Sequence, residues 1–422
     1  MLSISVAIVE PYAMELGGGN QKAQERILRL IDRSRFSVTF VVPFETEFSR
    51  QLAQSGIDVV VVPPPDSVAR HGHAWLHEPK WKRALMAADT LRYGFRIGRA
   101  LAAHPPDVFY CSSTRAVLIV ALSAWLKRIP ILFYVNGDLE NPLLDSIAIA
   151  AARRIAFQGP ANLSQLRWVL RRVFRSRLCI IPKGILLDEV RALLPTARQR
   201  ASGGPLPPSG GLKIAYCGLV HRGKGIHDLL EAISQLPAQF ADSTVHIVGG
   251  CSIDAHRAYA EELRVLASRL GILDRVTFTG WRADAIAVLA EMDVVVHPSL
   301  AEGFPTVVLE AMALGKAVVA TRVGELRSNT VIEDGTDGFL VEPGSPRQIA
   351  DKLARLLADP ALRERMGQLA QAKVLREHPI ERQINRLEEL WAELAVTKGQ
   401  DDAPPAREDP AGSGNGRGTP ER

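Results

Sequence analysis

Cysteine is scarce: Cys111, Cys179, Cys217 and Cys251 are the four in 422 residues, and no two form a Cys-x-x-Cys pair. That spacing excludes a zinc ribbon or a small disulfide scaffold and fits a reducing compartment. Long apolar runs are missing as well. The richest, AVLIVALSAWL from Ala116 to Leu126, is too short to span a bilayer and suits a buried helix. The opening SISVAIVE reads as a strand and lacks the basic stretch, apolar core and small-residue cleavage site of a signal peptide. Export is not expected, and a cytoplasmic location is. Charge of one sign is also in short supply, with 51 Lys+Arg against 46 Asp+Glu and a net +5, too mild for a general nucleic-acid binder. No Asp-x-Asp pair occurs, and His221, His227 and His246 lack the spacing of a ligand set, so no metal is expected.

What is present is a rhythm. Short β-branched runs alternate with helical periodicity: SVAIV, a helix over Gln21 to Ile31, SVTFVV, a helix near Phe48 to Ser55, and DVVVV. Then come DVFYC, a helix to Lys127, PILFYV, a helical stretch around Ile147 to Arg154, and RLCIIP. Continuous apolar strands between helices are the pattern of a buried parallel sheet. Residues Pro63 to Pro79, rich in Pro and His, read as a loop. A run of Gly, Pro and Ser from Ala201 to Gly211 marks a linker, after which a second series begins with LKIAYCG and ends with GFLVEPG and a helix from Pro346. The length is enough for two cores. The expected organisation is a first α/β domain over 1–185, a second over 186–379 with a linker at 196–211, a helix at about 380–396 returning to the first domain, and a disordered tail over 397–422.

Three segments carry chemistry. Gly17, Gly18 and Gly19 follow the first strand and precede a helical run opened by Asn20, serving either as an anion-holding turn or as a plain strand-to-helix connection. They do not match the GxGxxG dinucleotide spacing. In GLVHRGKG, Arg222 and Lys224 stand among glycines at a helix start, a combination suited to a diphosphate, although a solvent-facing basic turn has the same composition. In HPSLAEGFPTVVLEAM, Glu302 beside Gly303 can reach sugar hydroxyls, and Thr306 with the first helical turn offers free N–H groups to phosphate. Glu310 lies two turns further, a separation that suits a nucleotide's ribose.

With these residues in view, the chain resembles the retaining nucleotide-sugar glycosyltransferases of group 1, the family 4 class, which have the GT-B fold: two Rossmann-like α/β domains facing each other across a cleft. The resemblance rests on GLVHRGKGIHDLLEAI, HIVGG, VTFTGW, the EGFPTVVLE run and VGELRSNTVIEDGTDGFLVEPG, between Lys213 and Asp359, and on CIIPKGI, similar to an interdomain Ile-Pro-Asn-Gly segment with Lys183 at the Asn position. It implies a nucleoside diphosphate-sugar donor, Lys224 on its phosphate, Glu302 by its sugar and Glu310 on its ribose. Contacts from Gly280, Trp281 and Arg282 to the base are implied too, with Gly303, Phe304, Pro305 and Thr306 around the donor, Gly18 and Gly19 facing it, and the loop at Gly324 and Glu325 turned towards it. No metal or other cofactor is implied. Two positions depart from the family. Leu219 stands where an Arg is usual, with Arg222 as a nearby substitute. Asn136-Gly137-Asp138 replaces a His-containing pair; an amide cannot move a proton at neutral pH, which leaves Asp138 or Glu140 to compensate.

The basic excess is local. From Arg153 to Leu187 there are seven Arg, one Lys and no acid, leaving the rest of the chain at −3. QLRWVLRRVFR, within 165–177, reads as an amphipathic helix that either buries its apolar side in the first domain or touches anionic lipid or a phosphorylated acceptor. Nucleic acid is not expected, because aromatic interleaving is missing. The expected function is transfer of a hexose-type sugar to a glycan, lipid-linked or phosphorylated acceptor in polysaccharide or glycoconjugate synthesis. The alternatives are a nucleotide-sugar epimerase and a catalytically impaired nucleotide-sugar-binding protein.

Overall fold

A computed structural model describes residues 3–12, 19–69, 79–139, 141–193, 211–251 and 254–401. Two parallel sheets organise them. The first contains β1 (Ile4–Val9), β2 (Phe36–Val42), β3 (Asp58–Val61), β4 (Val108–Cys111), β5 (Ile131–Val135), β6 (Arg154–Phe157) and β7 (Leu178–Ile180), in the order β3-β2-β1-β4-β5-β6-β7. The second contains β8 (Lys213–Cys217), β9 (Thr244–Val248), β10 (Val276–Gly280), β11 (Val294–His297), β12 (Ala317–Thr321) and β13 (Phe339–Val341), in the order β10-β9-β8-β11-β12-β13. Both sheets start in the middle and reverse, between β1 and β4 and between β8 and β11. A reversal of this kind opens a crevice at the carboxyl ends of the strands.

The helices are α1 (Gly19–Leu30), α2 (Glu47–Gln54), α3 (Asp66–Ala69), α4 (Lys80–Ala100), α5 (Thr114–Leu126), α6 (Pro142–Ala151), α7 (Pro160–Ser164), α8 (Trp168–Val173) and α9 (Leu187–Leu193). There follow α10 (Ile226–Ser234), α11 (Asp254–Arg269), α12 (Ala285–Ala290), α13 (Thr306–Ala313), α14 (Pro346–Ala358), α15 (Pro360–Glu377) and α16 (Ile380–Asp401). Local chemistry sets several boundaries. Ser113 accepts from the Ala116 amide to start α5, Asn141 accepts from Leu143 and Leu144 ahead of α6, and Asp359 accepts from Leu362 ahead of α15. A proline in the first turn of α6 and α15 presets the helical φ.

The structure differs from the sequence expectation in several elements. Arg154, assigned to a helical stretch, opens β6, because α6 ends at Ala151 and the short run RIAF pairs with β5 and β7. The 21-residue α4 has no counterpart in the sequence reading; it lies close against α5, where a Cβ on Gly94 would come within 1.9 Å of the Ile119 carbonyl. The expected loop after Pro63 contains α3, whose Val68 enters the core. The basic helix of 165–177 is reduced to six residues in α8 and a 3-10 turn, Arg175–Arg177, and its Trp168, Val169 and Val173 are exposed.

The expected linker up to residue 210, Gly17, Gly18, Glu140 and the tail from 402 lie outside the described residues, whereas 397–401, expected in the tail, continue α16. That last helix packs on the first sheet. Ile380, Ile384, Leu387, Leu390, Trp391 and Leu394 share one core with Val6, Phe36, Phe40 and Tyr110. The Trp391 ring meets Phe36 and Tyr110 edge-on, at 5.6 and 5.8 Å between centroids. The outgoing and returning strands of the chain are joined where they cross between the halves: Ile185 donates to the His378 carbonyl at 3.0 Å, and Ile380 donates to the Ile185 carbonyl at 3.1 Å. No helix among the described residues is long and apolar enough to cross a membrane.

Candidate functional site

The carboxyl ends of both sheets meet along the interdomain cleft. On the second half, β8 ends at Cys217 and leads through Gly218 into a 3-10 turn, Arg222–Lys224, closed by Gly225 in the left-handed region at φ 62°. A Cβ at Gly225 would also come within 2.0 Å of the Pro298 carbonyl, so the residue is required both by its φ and by the close approach of the next loop. The turn delivers Lys224 to Glu302, and the two side chains form an ion pair with little exposure. His297, at the end of β11, lies in the same cluster. Burial pushes its imidazole down to about 4, and its Nε2 faces the Ser299 hydroxyl at 3.1 Å while Nδ1 is buried without a hydrogen bond. Desolvation opposes ionisation of Glu302, yet the charges of His297, Lys224 and Lys183 hold its carboxyl below the ordinary value.

Beyond Glu302, Gly303 packs directly on the first half: a Cβ there would sit 2.7 Å from the Gly137 Cα. Phe304 is buried, and Pro305 precedes α13 without a side-chain cap; the Val308 amide donates to the Pro305 carbonyl at 3.1 Å, which leaves the amides of Thr306 and Val307 to meet an anion. Glu310, two turns on, faces Arg26 of α1. The Arg26 guanidinium reaches Glu310 Oε1 at 3.0 Å and Glu189 Oε2 at 3.2 Å, joining the first half to α9 and α13.

The remaining expected residues are placed less uniformly. Arg222 is engaged elsewhere, paired with Glu262 of α11 and lying over the Tyr259 ring at 5.1 Å, in an exposed position. Gly280 takes φ 71°, Trp281 is exposed beside Gly250, and Arg282 is held in a two-bond pair with Asp284 at 2.9 and 2.7 Å. On the opposite wall, Asn136 accepts from Gln158 and Asp138 accepts from Gln165, both acceptors lying in the loop that follows β5. Gly19 is the first residue of α1. Glu325, expected to turn towards a donor, is buried against the first half instead. It accepts from the Ala161 and Asn162 amides at the start of α7, at 3.3 and 3.1 Å, and from Ser328 and Thr330.

Sequence reasoning passed over three buried polar groups. Arg26 sits in an ordinary amphipathic helix and carries no signal of its own. Glu10 directly follows β1, where burial raises its carboxyl to about 7 against hydrogen bonds from Gln24 and the Tyr12 amide. An acid closing the apolar run VAIVE was the available signal. His297 was visible in HPS but had no partner in sequence to mark it.

The sequence family described as Glycosyl transferases group 1 matches residues 211–359, and the one described as Glycosyltransferase Family 4 matches residues 46–202. Among curated relatives, a D-inositol 3-phosphate glycosyltransferase of Corynebacterium urealyticum is 29% identical over 248 residues, 57% of this chain and 56% of that protein. An alpha-D-kanosaminyltransferase of Streptomyces kanamyceticus is 33% identical over 159 residues, 37% of this chain and 39% of that protein. The chain thus spans between about two fifths and a little over half of these relatives. Anabaena HepE in complex with UDP superposes with a TM-score of 0.71 at 20% identity, covering 92% of this chain and all of that one. A glycosyltransferase from Rickettsia africae superposes at 0.75 and 16%, over 93% of this chain and 98% of that one. The two sheets and their cleft are therefore a GT-B fold. Both halves thus match glycosyltransferase families, residues 46–202 Glycosyltransferase Family 4 and residues 211–359 the group 1 glycosyl transferases.

Proposed function

We propose that this chain transfers a hexose-type sugar, with retention of configuration, from a nucleoside diphosphate-sugar to a glycan, lipid-linked or phosphorylated acceptor. The observation that carries the reading is the alignment along one cleft of Lys224, Glu302, the uncapped start of α13 and Glu310. A diphosphate between Lys224 and the α13 amides has its charge offset as the glycosidic oxygen–phosphate bond breaks, and the reading asks for no metal. Glu302 exchanges its lysine partner for sugar hydroxyls, and Glu310 meets the ribose. The acceptor enters from the wall of Asn136 and Asp138. With an amide at 136, the leaving phosphate takes the acceptor proton on the same face of the sugar, which retains the configuration. Contact between Gly303 and Gly137 closes the cleft and excludes water.

The names of similar proteins support a nucleotide-sugar donor: HepE was solved with UDP and with UDP-glucose. The exposed Trp168, Val169 and Val173 among arginines support a peripheral position on an anionic membrane, where a lipid-linked acceptor would be met. The test is a thermal-shift screen of uridine and guanosine diphosphate-sugars, followed by magnetic-resonance analysis of products formed with cell extract. Donor-dependent stabilisation lost in Lys224→Ala and Glu310→Gln, with an α-linked product from an α-linked donor, is expected. An epimerised free nucleotide-sugar, or tight binding with neither transfer nor hydrolysis, refutes it.

A further inference from the structure

Arg26 stands on α1 beside Ile27 and Leu28, which are buried in the core of the first half. The two carboxylates it meets belong to the other half. Leu187 and Val190, on either side of Glu189, share one core with Leu309 and Ala311, on either side of Glu310. A single nitrogen of Arg26, Nη2, donates to both acids, to Glu310 Oε1 at 3.0 Å and to Glu189 Oε2 at 3.2 Å. The contact with Glu310 is sheltered, the two side chains being 10% and 14% exposed, whereas Glu189 is 44% exposed. A parting of the halves by about 1 Å breaks both bonds. The hold of Arg26 on the Glu310 carboxylate therefore lasts only while the cleft is closed. An ionised carboxylate accepts at about four lone-pair positions, so a guanidinium on Oε1 and the two hydroxyls of a ribose are compatible on one group.

We infer that Arg26 is a positioning residue of the donor site, which aims Glu310 at the ribose when the two halves are closed. The inference rests on the proposed reading of Glu310 as the ribose contact. It adds to that reading a cation from the opposite half, outside the motifs that carry the family resemblance. Arg26 acts through Glu310 and not by contact with sugar or phosphate. With the guanidinium in place the carboxylate is ordered before the nucleotide arrives, and without it the ordering has to be supplied by binding. The coupling is reciprocal: a ribose held by the aimed carboxylate favours the closed cleft in turn.

The test is calorimetric titration of the full chain with UDP, GDP and their 2′,3′-dideoxy forms, at a temperature where urea denaturation shows each variant folded. The readout is the preference for the ribose over the dideoxy form, a ratio from which a general loss of stability or affinity divides out. In wild type, hydroxyls on a carboxylate give a preference of roughly ten- to a hundredfold, most of which Glu310→Gln is expected to lose. Arg26→Met is expected to lower the preference at least about threefold, the effect of leaving one long side chain to be ordered by the ligand, with Arg26→Lys recovering part of the loss. Should the Met variant not fold, Arg26→Gln takes its place with the same expectation. Glu189→Gln removes the exposed partner alone and is expected to keep the preference. A fall of less than about threefold in folded Arg26→Met, or an equal fall in Glu189→Gln, overturns the inference while the ribose reading stands. A wild type that binds the diphosphates without preference overturns the ribose reading, and the inference with it. Binding of neither UDP nor GDP removes the donor proposal itself.

Discussion

Glu325 offers a test of how the two halves are held together. Its carboxylate accepts the Ala161 and Asn162 amides, at 3.3 and 3.1 Å, and the hydroxyls of Ser328 and Thr330. Gly159 lies so close that a Cβ there would come within 2.2 Å of the same carboxylate. Because Gly159 has an extended backbone at φ −177°, alanine is conformationally acceptable, and the obstacle is this one contact. Replacing Glu325 by Ala leaves two buried amides unpaired, and at about 1–3 kcal/mol each, reduced by entering water, the loss is ~2–4 kcal/mol. Gly159→Ala alone drives the carboxylate off the same amides and costs ~1–3 kcal/mol. Once Glu325 is Ala, however, the methyl group at 159 has room. The double variant is therefore expected to be no less stable than Glu325→Ala, giving a coupling of ~1–3 kcal/mol in urea denaturation. Small-angle scattering of Glu325→Ala is expected to show a larger radius of gyration as the halves part. Additive effects, or a neutral Gly159→Ala, would refute this account.

Other outcomes follow from charges named above. Arg26→Met removes the cation between Glu310 and Glu189, and with Glu189 about half exposed the expected loss in urea denaturation is ~2 kcal/mol. His297 is held at about 4 in the folded state against an ordinary value near 6.5, so the unfolded chain binds the extra proton first as pH falls. Its contribution is complete above pH 6.5 and is lost between 6.5 and about 4; relative to His297→Asn, wild type is expected to lose up to ~3 kcal/mol over that window. Arg171→Glu with Arg172→Glu is expected to weaken sedimentation with phosphatidylserine vesicles at least tenfold, at about 1 kcal/mol per basic residue, without affecting phosphatidylcholine controls. Equal binding to both vesicles would remove the membrane from the proposal.

The second half was legible almost strand by strand, because each of its strands is a clean apolar run separated by glycine turns from a periodic helix. The first half was harder. RIAF follows an apolar helix with only two residues between, so periodicity alone could not divide helix from strand. α4 escaped because its glycines and scattered arginines blur the apolar stripe; its packing on α5 depends on the space that Gly94 leaves, a property of two helices together. At the site, Lys224, Glu302 and Glu310 stand in local motifs and could be read directly. Arg26 and Glu325 could not, since their partners lie 284 residues away in the one case and 163–164 in the other. Arg222 shows the converse: the right residue type in the right turn, held elsewhere by Glu262 and Tyr259.

The helix α16 gives the molecule an order of assembly. The core of the first half contains Trp391 and five other apolar residues from the end of the described chain, so that core has a hole until they arrive. About 200 residues separate β7 from α16, and at about 5–20 residues per second a ribosome needs roughly 10–40 s to make them. During that interval Phe36 and Tyr110 lack their indole partner, while the second half, whose cores draw on residues up to Met366 and Val374, becomes complete just before α16 is made. The half made first is thus completed last, and a chain cut short before Trp391 would leave a finished second domain attached to an unfinished first.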